Sequence, residues 1–209
     1  MKDFDEHVFH LGQFQQELAE FSELLVAKKE LDERKVILPF FRSCRQLSAF
    51  FGSVVTEISA FDRLAYEFDI FGDFRCDLAV GDSQAHAYCF IEFEEAKRQS
   101  VFKKSKNKIT PTWGAAFERG FSQIVDWLWK LDDQRQTKRF NRVFGSSEIQ
   151  CIAILVVGRD CFVDDMERLR WRSSRSTVGH IKVYAYTYDQ ICQILFNKIS
   201  YLLAMREET

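Results

Sequence analysis

Residues 150–159, "QCIAILVVGR", are apolar at both parities of a strand. Successive side chains of a strand point to opposite faces, so a segment apolar on both is stable only when both faces are covered. That requires a sheet with packed layers on its two sides. The run is also far shorter than the roughly 20 residues a membrane helix needs, and the opening "MKDFDEHVFH" lacks signal-peptide architecture. A cytoplasmic protein without membrane association is the expectation. The covering layers need bulk, and the chain supplies it: 46% hydrophobic and 15% aromatic, with 21 Phe. No Pro/Gly/Ser-rich linker divides the 209 residues, which predicts a helical segment over 1–40 leading into one domain over 41–209.

The remaining elements fall around that buried strand. Leu11, Phe14, Leu18, Phe21, Leu24 and Leu25 recur at helical spacing between His10 and Lys29, and a second helix is predicted from Phe41 to Glu57. Ala65 to Phe71, Arg75 to Val80 and Ala87 to Glu94 read as three strands, separated by "GD" and "GDSQ" turns. From 113 to 131, "WGAAFERGFSQIVDWLWKL" sets Phe117, Phe121, Ile124, Leu128 and Leu131 on one helical face. A strand at Ile181 to Tyr186 precedes a helix opened by Thr187 and Gln190, a capping-box pattern. The order is helix, three meandering strands, helix, strand. It implies an α/β fold with a mixed sheet, because the long helix must return the chain across the sheet.

Carboxylates interrupt this core. Ile91 is followed by Glu92, Glu94 and Glu95 while the strand pattern still runs, and Asp77 sits between Cys76 and Leu78 on the preceding strand. Glu92 and Glu94 share one strand face, and Asp77 and Glu92 are symmetric about the turn near Gly81 to Ala85. Three carboxylates brought together repel unless protons or a divalent cation neutralise them, and an all-oxygen set suits Mg²⁺, Mn²⁺ or Ca²⁺. The alternative is that they leave the sheet edge into solvent or pair with Arg75 and Lys97. A rival register reads Glu95-Ala96-Lys97 as the functional triplet, but it puts Ile91 and Phe93 on the charged face.

Asp77, "IEFE" at 91–94 and the helical "GFSQIVDW" at 120–127 together resemble the PD-(D/E)XK nuclease superfamily, and more narrowly the Shedu-type nuclease domain of anti-phage defence. "LVVGRD" at 155–160, "RLRWR" at 168–172 and "IKVYAYTYDQI" at 181–191 extend the likeness across Phe41 to Leu203. The resemblance implies a restriction-endonuclease-like αβββαβ core, with Asp77, Glu92, Glu94 and Gln123 as catalytic residues. Asp77, Glu92 and Glu94 would hold Mg²⁺ or Mn²⁺, with no organic cofactor. It further implies a metal-dependent DNA endonuclease that self-associates. Glu94 stands where the superfamily pattern has Lys, and a carboxylate cannot offer that positive charge to a phosphate.

Cations for DNA contact come from two segments. Lys97, Arg98, Lys103, Lys104, Lys106 and Lys108 follow the acidic strand without an intervening acid, and Arg159, Arg168, Arg170, Arg172 and Arg175 surround Trp171. Lys97, Lys103, Lys104, Lys106, Arg168, Arg170 and Arg172 are the candidate nucleic-acid contacts. Charge runs are also ordinary solvated surface, and the net charge of −2 gives no global pull on nucleic acid. A non-catalytic module of the same fold, holding nucleic acid or docking a partner, is therefore the second functional class. The six cysteines, without Cys-x-x-C or zinc spacing, read as buried reduced thiols.

Overall fold

A computed structural model describes residues 3–104, 108–163, 165–179 and 181–207, so that Lys106 and His180, with the side chains of Trp171 and Arg175, lie outside the described residues. Two short helices, α2 (Leu38–Ser43) and α3 (Arg45–Phe50), follow the long α1 (Leu11–Ala27). The main sheet comes next. A short edge strand β1 (Asp5–Glu6) pairs with β2 (Arg63–Ile70), which meanders antiparallel into β3 (Phe74–Asp82) and β4 (Ala87–Phe93). A small hairpin of β5 (Phe102–Lys103) and β6 (Thr112–Trp113) occupies the lysine-rich segment. The 20-residue α4 (Ala115–Gln134) then carries the chain over the sheet, and after α5 (Lys138–Phe144) β7 (Gln150–Val156) pairs parallel to β4. Beyond it lie α6 (Met166–Arg175), β8 (Thr177–Val178), β9 (Ile181–Tyr186) and α7 (Tyr188–Glu207), with β9 parallel to β7. Among the described residues the sheet order is β1-β2-β3-β4-β7-β9-β8.

The predicted order of helix, meander, helix and buried strand is the observed one. Two apolar layers flank the sheet: one joins Leu78, Val80, Ile91 and Phe93 to α1, α3 and α7, and the other joins Ala79, Phe90 and Leu155 to α4 and α5. Ile152 and Ile154 face the first layer while Ala153 and Leu155 face the second, as the double-parity pattern of β7 demands. Phe14, Leu18, Phe21 and Leu25 of α1 belong to the same core as the strands. The helical preface is thus packed into the domain.

The expected helix over 41–57 is broken. Pro39 starts α2 early, Cys44 leaves helical geometry at φ −101° and ψ 74°, and a 3-10 turn occupies Phe51–Val54. Side chains compete for the backbone: Ser43 Oγ donates to Phe40 O and Ser48 Oγ to Phe41 O, each at 2.7 Å. By contrast the capping box at α7 is present, with Thr187 N–H donating to Gln190 Oε1 at 3.1 Å and Gln190 N–H to Thr187 Oγ1 at 3.2 Å. All six cysteines are free; Cys161 is exposed, so burial holds fully only for Cys44, Cys76 and Cys89. No described helix is long and apolar enough to cross a membrane.

Candidate functional site

The β3–β4 hairpin positions the acids. Its register ends with Leu78 paired to Ile91, and just beyond that pair the Asp77 and Glu92 side chains are in direct contact. The symmetric hairpin brings the two strand ends level, and there the carboxyls meet. Asp77 Oδ2 accepts the Phe93 N–H at 2.9 Å, which fixes it across the strand end. The neighbouring strand is strained here. Glu67, level with Asp77 on β2, has φ +50°, and around it the strand changes sides: Tyr66 packs with the α1 layer and Phe68 with the α4 layer. A non-glycine residue in that region costs on the order of 1–3 kcal/mol and is retained where its surroundings enforce it.

Asp77, Glu92, Glu94 and Gln123 line one cavity of about 440 Å³. The sheet adds Glu67 and Arg75 to its wall. Its roof is a π-helical turn, Glu33–Ile37, together with α2, which contribute Glu33, Arg34, Leu38 and Arg42. The cavity lies at the carboxyl end of β4, where sheets with parallel strands commonly place ligands.

Burial governs the electrostatics. Glu92 is 5% exposed, and burial followed by the neighbouring Asp77 charge pushes its carboxyl far up. Asp77 is raised to about 6 by burial, against the pull of the Phe93 N–H. Glu94, 1% exposed, is raised by burial to about 7 even with the Arg119 guanidinium holding it down. Arg119 Nε donates to Glu94 Oε1 at 2.9 Å and its Nη2 to Oε2, so both oxygens of Glu94 are engaged.

Among the described residues, no set of three or more His, Cys, Asp or Glu side chains is arranged to hold a metal ion. Two carboxylates do fit a hard cation. Glu92 Oε2 is buried without a hydrogen-bond partner and stands beside Asp77, an arrangement costly for bare anions and natural around a divalent ion. Mg²⁺ ordinarily takes one or two protein carboxylates and completes its shell with water and phosphate.

The basic candidates separate into different surroundings. Lys97 pairs with Glu95 and Asp32, and with Arg98 and Lys103 lines a second cavity of about 390 Å³, away from Asp77. Lys103 and Lys104 are exposed. Arg168 stacks over Phe102 and Trp113 at 5.1 and 4.8 Å and donates to Pro111 O, while Arg172 covers Phe121 at 4.6 Å and Trp113 at 5.2 Å. Arg170 is exposed beside Tyr184 and Asp189. Arg159, grouped with them by sequence, is 7% exposed and structural, donating to both oxygens of Asp189 and to the Leu25 and Lys28 carbonyls at the end of α1.

The family model described as "Shedu protein SduA, C-terminal" matches residues 30–192. The chain belongs to the Shedu family. No curated protein matches it. Family membership makes this a Shedu-type anti-phage domain, and the matched residues contain every residue that lines the acidic cavity. Within the Shedu domain, three functional candidates escape a reading of the sequence: Glu33, Glu67 and Arg119. Glu33 lies in a π-helical turn with no apolar period, and Glu67 reads as the polar face of a strand. Arg119 is one more cation on a helix, and its signal is Gly120, the small residue that lets the helix approach Glu94.

Proposed function

We propose that this Shedu domain is a metal-dependent DNA endonuclease of the PD-(D/E)XK type, hydrolysing phosphodiester bonds in anti-phage defence. One observation carries the reading: the Asp77 and Glu92 carboxyls, from adjacent strands, are in contact, with a buried, unpartnered Glu92 oxygen, in a cavity that Gln123 also lines. Asp77 and Glu92 would hold Mg²⁺ or Mn²⁺, which when bound supplies Lewis-acid stabilisation of the phosphate and an acidified water. The chain's own work is to hold the two carboxyls side by side beneath Glu33 and Leu38, where burial and their mutual repulsion favour the protonated pair, so that a bound cation would displace the proton. Gln123 offers an amide that donates to a phosphate oxygen or accepts from the attacking water. As the water oxygen bonds to phosphorus, the ester P–O bond breaks; the water's proton leaves to a basic oxygen and the departing alkoxide takes one from solvent.

Plasmid and linear DNA incubated with Mg²⁺, Mn²⁺ or EDTA test this directly. Cleavage that needs metal, and that falls by at least about 100-fold in Asp77→Ala and Glu92→Ala proteins of unchanged circular dichroism, is the expected result. Undiminished cleavage in either variant removes the site assignment. DNA binding without turnover under every condition favours the non-catalytic module instead.

A further inference from the structure

A phosphodiester entering this cavity brings negative charge to a place already lined by Glu33, Glu67, Asp77, Glu92 and Glu94. A cation with a fixed position is needed to meet it. We propose that Arg119 is the phosphate-facing cation of the site, and that Glu94 is a positioning residue that aims Arg119 rather than a metal ligand. This inference rests on the nuclease reading above and deepens it.

Glu94 is held at both its backbone and its side chain. Its N–H donates to Val156 O at 2.9 Å, extending the β4–β7 ladder by one residue, and its carbonyl accepts the Tyr188 hydroxyl at 2.7 Å. Its carboxylate runs beneath α4 through the space left by Gly120, where a Cβ would stand 2.9 Å from Glu94 Cγ and 2.5 Å from Leu155 Cδ1. A carboxylate so held has no freedom to swing toward a cation bound by Asp77 and Glu92, and the two-pronged contact with Arg119 occupies both its oxygens.

Arg119 is placed differently. Its side chain is about half exposed, at 53%, and the contacts with Glu94 use Nε and Nη2, leaving Nη1 outside that pair. It reaches to 3.6 Å from Glu33, a cavity-lining residue, and stands one helical turn before Gln123, which lines the same cavity. Glu94 lies two residues after Glu92 on one chain segment, so the pair fixes the guanidinium relative to the proposed metal-binding oxygens. Orientation established before the substrate arrives is the form of electrostatic assistance that proteins supply best. The three arginines that line the cavity itself lack a two-pronged anchor: Arg42 makes a single contact with Glu67 at 2.9 Å, Arg34 is 90% exposed and 4.0 Å from Glu33, and Arg75 is exposed.

The test compares Arg119→Ala, Arg119→Lys and Glu94→Gln by cleavage kinetics, by Mn²⁺ affinity from metal-dependent thermal shifts, and by affinity for a DNA oligonucleotide. Arg119→Ala and Glu94→Gln are each expected to lower kcat by about 100-fold, with Mn²⁺ affinity within about threefold of wild type and the double variant no worse than either single one. Arg119→Lys should recover part of kcat, a rescue that a purely structural role would not produce. A loss of Mn²⁺ affinity of about tenfold or more in Glu94→Gln overturns the proposal by making Glu94 a ligand, and so does an unaltered kcat in Arg119→Ala. If the wild type never cleaves, the nuclease reading fails by itself. The oligonucleotide then decides this inference: a fall of about fivefold or more in affinity with Arg119→Ala sustains it, and no change ends it.

Discussion

Asp77 and Asp82 sit five residues apart on β3 and respond to pH in opposite senses. Burial would raise the Asp82 carboxyl, but the N–H groups of Ala85, Ala60 and Ser59, with the Ser59 hydroxyl, outweigh it and hold it at about 2. Its contribution to stability is complete above the ordinary carboxyl value and is lost as pH falls through about 2. Asp77 is raised to about 6, so its contribution is complete below the ordinary value and is lost as pH rises through 6, with the neighbouring Glu92 extending the loss to higher pH. The metal-free protein is therefore expected to be most heat-stable near pH 4 to 5 and to lose several degrees by pH 8. Asp77→Asn should flatten the alkaline limb and raise Tm at pH 8 by about 3–8 °C while abolishing cleavage, a trade of stability for activity common at charged sites. Mn²⁺ should recover the lost stability in wild type and not in the variant, since only a species that binds the folded state can shift the equilibrium. Calorimetry across pH, with and without metal, reads each of these; an Asp77→Asn protein no more stable than wild type at pH 8 would show that the acidic pair carries no penalty.

At the scale of elements, one arginine joins three of them. Arg159 follows β7, grips Asp189 in the first turn of α7 and closes the last turn of α1 through the Leu25 and Lys28 carbonyls. Arginine's five donors in a planar fork suit this set, and lysine's single ammonium does not. Arg159→Ala is expected to cost about 2–4 kcal/mol, because it leaves two helix-end carbonyls unpaired and Asp189 with only the Asp160 N–H, and Arg159→Lys should recover little of that. Urea denaturation gives the cost, and tryptic cleavage at Lys28 and Lys29 reports whether α1 has come loose. Elements whose sequence pattern repeats were legible: α1, α4 and β7 follow from their apolar periods, and α7 from Thr187 and Gln190. The break at Cys44 was not, because the apolar residues continue across it; the Ser43 and Ser48 hydroxyls that take the Phe40 and Phe41 carbonyls beside it leave no mark in the apolar period. The seven-residue α5 is too short to show an apolar period and is made by its caps: Thr137 accepts from Phe140 N–H, and Gly145 ends the helix at φ +74°.

Across the whole molecule, the site was half legible for a physical reason. Asp77 and Glu92 announced themselves as charges inside an apolar strand pattern, and the symmetric turn gave their register. Glu33 and Glu67 come from a π-helical turn and a strained strand, Arg119 from a helix, and tertiary packing alone brings the first two to the cavity and the third beside it, against Glu33 and Glu94. The same separation applies to the cations. With a net charge of −2, DNA can be held only by local patches, and the fold divides the arginines and lysines into those committed to packing and those facing water. Arg172 lies on the rings of Trp113, Phe117 and Phe121, so Arg172→Ala should act mainly by loosening that packing, lowering Tm more than DNA affinity. Lys103 and Lys104 are exposed at the hairpin that follows the acidic strand. Replacing both with alanine should leave Tm within a few degrees, weaken DNA binding by about 3- to 10-fold at moderate salt, and reduce the slope of log affinity against log salt by about 2, one for each phosphate no longer neutralised. Anisotropy titrations at several salt concentrations measure affinity and slope together. A double variant with an unchanged slope would move the DNA path off this hairpin, toward exposed Arg170 or the cavity's own Arg34 and Arg75.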